Sequence, residues 1–147
     1  MKKLFYLSLI LLAIQAAEAG NSSTLTVKMS GFRSDAGVAQ VLLFRGKDGF
    51  PKDYKKTYQV ISSSITNGVS KAVFSGLSAG SYAVSVLHDE NWSGKMDTNW
   101  VGIPKEGVGT SNNASVLFGP PSYKVSSFEV DAATKTISIK MKYLLGK

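Results

Sequence analysis

Apolar residues recur at every second position along most of this chain, and that period fixes the class of fold open to it. In "TLTVKMSGF", Leu25, Val27 and Met29 alternate with Thr24, Thr26 and Lys28, the pattern of a strand with one buried face. "GSYAVSVLHD" puts Tyr82, Val84 and Val86 on one side, and "TKTISIKMKY" does the same with Ile137, Ile139, Met141 and Tyr143. "VAQVLLFR" is apolar at every position from Val41 to Phe44, as expected of a strand covered on both faces. With "KTYQVISSSIT", "VSKAVFSGL" and "YKVSSFEV" these make seven strands. No segment sustains a helical period, and the one helical expectation is a short turn in "DGFPKDYKK".

The breaks between strands are turn-formers. "SDAG" precedes the second strand, and Asn67-Gly68 separates the third from the fourth. Asn-Gly tolerates the positive φ angles of a type I′ turn, so the third and fourth strands are expected to form a hairpin. "YKVSSFEV" and "TKTISIKMKY" are expected to form another. Seven short strands joined in this way predict one antiparallel β-sandwich of two sheets, with a small closed barrel as the alternative. One connection is far longer than the rest, from Asp89 to about Ser122. A loop of that length in a compact domain is functional or disordered, and its prolines (104, 120, 121) with Trp92, Trp100 and Phe118 predict order.

The first residues, "MKKLFYLSLILLAIQAAEAG", place two lysines before an apolar run and end in the small-x-small triplet Ala17-Glu18-Ala19. This is the layout of a secretory signal peptide, residues 1–19, leaving a single domain over residues 20–147. The apolar run is short of the roughly 20 residues that span a bilayer, so the expectation is export to the periplasm or medium, with no stable membrane insertion after cleavage. The sequence has no cysteine, which excludes both a disulfide framework and a lipoprotein anchor. The 147 residues carry a net charge of +7; without Lys2, Lys3 and Glu18 it is about +6. The lysines are scattered, often at alternate positions such as Lys140 and Lys142, and only Lys52, Lys55 and Lys56 group together. Solvated strand faces account for this better than a nucleic-acid surface does, and leave room for weak attraction to acidic polysaccharide or lipid headgroups.

The long connection begins "HDENWSGKMDTNW". Counted from Asp89, oxygen-bearing side chains stand at positions 1, 3, 5 and 9, with glycine at position 6. That is the front of an EF-hand-like calcium loop: Asp89, Asn91, Ser93 and Asp97 as side-chain ligands, and the Lys95 carbonyl at position 7. Alternate side chains of a tightly curled loop converge on one point, and calcium takes about six to eight oxygens. An EF-hand has a bidentate glutamate at position 12; here that residue is Trp100. Gly102 and Pro104 can bend the chain so that Glu106 returns as the sixth ligand. Asn99 is a further oxygen donor, and His88 a candidate to hydrogen-bond a ligand carboxylate. Modest affinity is expected, about 10⁻⁴–10⁻³ M. The competing reading is a metal-free turn rich in Asp, Asn and Ser, whose side chains bond the local backbone. A transition metal is poorly served by one histidine and no cysteine.

Other chemistry fares worse. His88 precedes Asp89, but adjacent strand residues point to opposite faces and no G-x-S-x-G element is present, so a hydrolase is not expected. Asp89 and Asp97 would converge on an ion rather than flank a sugar ring. No phosphate-binding glycine loop occurs, and "TSNNAS" reads as a polar loop brace. Trp92, Trp100, Phe118 and Tyr123 are candidates either to stack on a carbohydrate or to pack the loop onto the sandwich.

Residues 70–130, "FSGLSAGSYAVSVLHDENWSGKMDTNWVGIPKEGVGTSNNASVLFGPPSY" at their centre, resemble a family of exported bacterial proteins of unassigned function, domain of unknown function 2141. The resemblance lies in a "GL-x-x-G-x-Y" hairpin, the "HD-x-N" loop, "G-x-P-x-E-G", "SNNA" and "FGPP-x-Y". It implies a transthyretin-like or immunoglobulin-like β-sandwich and export, and supplies no activity. Ser93 departs from the family pattern, where asparagine is usual. The loop is also similar to those of calcium-binding β-sandwich repeats in bacterial surface adhesins. The resulting expectation is a non-enzymatic module with a calcium-stabilised loop, binding or structural in the cell envelope. Its alternative is a metal-free sandwich whose aromatic loop binds a glycan or an envelope protein.

Overall fold

The computed structural model describes residues 22–146; the expected signal peptide, residues 1–19, lies outside the described residues. Two sheets pack face to face. One has the order β4 (Val69–Leu77), β1 (Ser23–Ser30), β8 (Lys135–Lys140). The other has the order β3 (Gln59–Ser63), β2 (Val38–Phe44), β5 (Gly80–Asp89), β6 (Val108–Thr110), with β7 (Phe128–Val130) pairing the start of β5. A helical turn, α1 (Tyr123–Ser126), precedes β7. The alternation read in the sequence becomes the core: Leu25, Val27 and Met29 of β1 meet Val41, Leu43, Tyr82, Val84 and Val86 of the opposite sheet. Among the described residues no helix is long and apolar enough to cross a membrane.

The β-sandwich stands, with eight strands among the described residues rather than seven. Val108–Thr110 pairs with Ser85–Leu87 of β5 inside the stretch read as loop, because three residues are too few to display a period. "YKVSSFEV" divides into α1 and a three-residue strand. The short helical turn expected in "DGFPKDYKK" is present as a 3-10 turn at Tyr54–Lys56.

Both expected hairpins need correction. Asn67 and Gly68 do take positive φ, 52° and 72°, and Thr66 pairs with Val69 across them. Beyond that bridge the strands part: β3 runs along β2 and β4 along β1. The tight turn carries the chain from one sheet to the other. Similarly β7 pairs with β5, whereas β8 pairs with β1 in parallel, so the sandwich is not wholly antiparallel. Parallel neighbours cannot be joined by a tight turn, and here the first and last strands meet only because almost the whole domain lies between them. Local turn chemistry holds no information about that pairing.

Candidate functional site

Strand β5 sets the site, since its alternation sends neighbouring residues to opposite faces. His88 lies on the core side, fully buried, edge-on to Phe32 with ring centroids 5.1 Å apart. Its Nδ1 is 2.8 Å from the Tyr143 hydroxyl and its Nε2 2.8 Å from the Ala36 carbonyl. Asp89 lies on the other face, beneath the long loop, and is 1% exposed. His88 therefore braces the core rather than bonding a loop ligand, which corrects its expected supporting role.

The loop curls over Asp89. Asp89 Oδ1 accepts the Ser93 N–H and Oδ2 accepts the Gly94 N–H, both at 2.9 Å. Gly94 has φ +72° with no neighbour near a would-be Cβ, so its glycine serves the bend itself. Asn91 Oδ1 also accepts from Ser93 N–H at 3.1 Å, and Asn91 Nδ2 donates to Asp97 Oδ2 at 2.6 Å. The Ser93 hydroxyl donates to the Lys95 carbonyl at 2.8 Å. Asp97 then opens a small hairpin, in which Lys105 N–H donates to the Asp97 carbonyl at 2.8 Å and Asn99 N–H to the Ile103 carbonyl at 2.9 Å. That hairpin returns Glu106 to the loop. Glu106 is 5% exposed; its Oε1 accepts the Glu90 N–H at 3.0 Å and its Oε2 the Asp97 N–H at 3.2 Å.

The structure thus brings Asp89, Asn91, Ser93, Lys95, Asp97 and Glu106 into one hydrogen-bonded knot. Their oxygens face the loop's own N–H donors, and among the described residues no three His, Asp or Glu side chains converge as a ready-formed metal cluster. An ionised carboxylate has about four acceptor positions, of which Asp89 and Glu106 each use two. Asn99 stands apart: its Oδ1 accepts from Val101 and Ile103 N–H at 3.1 and 2.9 Å, so it shapes the hairpin tip and does not face the knot.

The carboxylates of Asp89, Asp97 and Glu106 make no direct ion pair among the described residues, with no Lys, Arg or His nitrogen within 4.0 Å of them, although the Arg33 charge acts on Glu106 from nearby. Burial pushes the Glu106 carboxyl up from its ordinary value; the Asp97 and Glu90 N–H groups oppose this, and the charges of Asp97 and Asp89 add to the rise. Glu90 is different. Its carboxylate is paired with the Arg33 guanidinium, accepts from the Ser34 hydroxyl at 3.1 Å, and is held below the usual range chiefly by the Arg33 hydrogen bond. Arg33 also lies over the Tyr143 ring, 4.7 Å from its centroid. This anchor was not legible in the sequence, because Arg33 and Glu90 are 57 residues apart and neither belongs to a motif.

The aromatic candidates divide. Trp100 is 96% and Phe118 100% exposed, and Trp92 is largely exposed in a left-handed backbone conformation. Tyr123 is half-buried: its hydroxyl donates to the Ser81 carbonyl at 2.8 Å and its ring meets Phe50 edge-on. It holds α1 to the sheet and is not presented to a ligand. The brace expected of "TSNNAS" is present. Asn112 Nδ2 donates to the Ser127 carbonyl at 2.9 Å, and Asn113 Oδ1 accepts the Lys140 N–H at 2.8 Å.

These features define a two-sheet β-sandwich with an acidic, self-bonded loop laid over the outer face of one sheet. The chain belongs to the family described as "Uncharacterized protein conserved in bacteria (DUF2141)", whose model matches residues 27–138. A comparison with curated proteins found no match. Among solved structures, a mutant of the pilus-presented adhesin Spy0125 (Cpa) aligns at 13% identity over 84% of this chain, with a TM-score of 0.27. The chain spans 27% of that adhesin's length.

Proposed function

We propose that the protein is an exported, non-enzymatic module of the bacterial cell envelope, periplasmic or secreted, whose 89–106 loop is completed by a calcium ion. One observation carries the reading: three carboxylates, two of them buried, share a loop and none of them is directly ion-paired among the described residues. Gathering like charges away from water is unfavourable, and a divalent cation offsets it. Asp89, Asp97 and Glu106 supply the charge; Asn91, Ser93 and the Lys95 carbonyl complete a set of hard oxygens of the kind calcium takes. For binding, Asn91 must turn its oxygen toward Asp97 in place of its present amide donor. The bound ion adds to the Arg33–Glu90 pair and the packing of Met96 on Leu87, Val108 and Val116 that already hold the loop, and the loop then presents its exposed side chains to a partner.

The test is a calcium titration of the mature protein followed by tryptophan fluorescence, since Trp92 sits within the loop. Saturation with a Kd of about 10⁻⁴–10⁻³ M, lost in the Asp89→Ala/Asp97→Ala double variant, is the expected result. A flat trace to about 10 mM, an order of magnitude beyond that range, overturns the reading. The exposure of Trp100 and Phe118 favours a second reading, in which the aromatic loop binds an envelope polysaccharide or protein without metal. Partner binding that is unchanged by chelator and lost in Trp100→Ala supports it.

A further inference from the structure

A cavity of about 640 Å³ lies between the outer face of the second sheet and the long loop. This falls within the roughly 300–1,000 Å³ typical of small-molecule sites, and about 20 waters would be needed to fill it. Its floor is Leu42, Leu87 and Val108; Ile103, Pro104 and Val116 are among the residues that wall it. None of these was singled out in the sequence as binding a ligand. The cavity exists because β6 is drawn inward. Gly107 and Gly109 lie so close to Tyr143 and Ile139 that a Cβ would come within 2.5 Å and 2.7 Å of them. Val108 and Thr110 consequently face outward, into the space beneath the loop.

Of the polar side chains lining this cavity, the Ser85 hydroxyl is spent on the Pro51 carbonyl at 2.5 Å, and those that remain free can all donate. Thr110 is 4% exposed, yet its hydroxyl has no hydrogen-bond partner. Tyr54 also lines the cavity, and its hydroxyl is buried and equally unpartnered. Burial, and then the nearby charges of Asp89 and Glu106, hold that phenol protonated. Lys52 and Lys95 line the cavity from exposed positions, and neither forms an ion pair among the described residues. A buried hydroxyl without a partner is costly and is normally satisfied by ligand or water. An apolar enclosure whose free polar groups are hydroxyls and ammonium ions complements a molecule with an apolar body and an anionic, acceptor-only head.

We propose that this cavity binds a linear aliphatic carboxylate, its chain against Leu42, Leu87 and Val108 and its head taken by Thr110, Lys52 and Lys95. The proposal is independent of the calcium reading, because none of these three contacts uses an oxygen of the acidic knot.

The experiment is calorimetric titration of the mature protein with hexanoate, octanoate, decanoate and dodecanoate below their micellar concentrations. Chelator is present throughout, which keeps the result separate from any cation in the loop. Binding should be one to one and should tighten about fourfold per added methylene. Octanol should bind more weakly than octanoate. Lys52→Glu/Lys95→Glu, two exposed changes that leave the core untouched, should weaken octanoate about fivefold or more while leaving octanol unchanged. Thr110→Val, which keeps the shape and removes the donor, should weaken octanoate several-fold. No saturable binding, affinity independent of chain length, or equal affinity for octanoate and octanol overturns the proposal. So does unchanged octanoate affinity in the lysine variant, whose two exposed positions make its folding independent of the buried Thr110.

Discussion

Asp89→Asn separates a cation-binding loop from a turn of the same composition. The substitution keeps the size of the side chain and leaves one oxygen acceptor. Its new amide nitrogen must face either the Ser93 or the Gly94 N–H, each now 2.9 Å from a carboxylate oxygen. An orphaned buried N–H costs about 1–3 kcal/mol, and relief of charge repulsion toward Glu106 moves the net value to the low end. With unfolding entropy near 2.1 cal/mol/K per residue, about 125 ordered residues give roughly 0.26 kcal/mol per degree. In chelator the variant should therefore melt about 4–8 °C below the parent. Calcium at 10 mM adds RT ln(1 + [L]/Kd) to the parent, about 1.4–2.7 kcal/mol for a Kd between 10⁻³ and 10⁻⁴ M. That is roughly 5–10 °C, and the variant should gain little of it. The assay is a pair of thermal melts for each protein, with ionic strength matched by sodium chloride. If the gap between parent and variant is the same in calcium as in chelator, Asp89 is a turn-former and the cation argument fails.

Five other substitutions test the surrounding structure. Ser111→Ala removes a hydroxyl that accepts the Val84 N–H at 2.9 Å and donates to the Ser126 carbonyl, and should cost about 1–3 kcal/mol in urea unfolding. Gly107→Ala drives a Cβ to 2.5 Å from the Tyr143 ring and should cost about 1–3 kcal/mol through overpacking; a neutral result in the same assay would mean that β6 is less tightly held than described. Asp35 is held below its ordinary range by the N–H groups of Gly68 and Asn67. Its contribution is present above the unfolded-state value and lost as pH falls through the lowered one. The melting deficit of Asp35→Asn should thus be full at neutral pH and vanish in acid. Trp100→Ala and Phe118→Ala should leave stability within about ±0.5 kcal/mol, as surface changes do, so any lost affinity for an envelope partner reports contact rather than folding.

The acidic loop was legible as far as its own chemistry is local. The 1-3-5-6-9 order named Asp89, Asn91, Ser93, Gly94 and Asp97, and the structure curls them together because Asx-type side chains bond N–H groups two to five residues away. The return of Glu106 was legible through Gly102 and Pro104, which mark a reversal. His88, Asn99 and Tyr123 misled because each can bond several kinds of partner and the chosen one is set by position. Tyr143, the Asn99 turn and Ser81 took them. The cavity beneath the loop left no trace, since its lining comes from separate segments between Leu42 and Leu144 and no local pattern marks residues that share an empty volume.

By itself the sequence determined that this is a sandwich of short strands, which residues face inward, where the chain turns, and which loop gathers acidic oxygens. These are properties of neighbouring residues, fixed by side-chain period and by the few backbone conformations a turn permits. Only the tertiary structure decided that β3 and β4 part into different sheets, that the first and last strands lie parallel, that Glu90 is neutralised by Arg33, and that a largely apolar space with a few free hydroxyl and ammonium groups remains beneath the loop. Each of these depends on surfaces meeting across tens of residues, where the free energy of packing the whole chain, rather than any local preference, selects the partner.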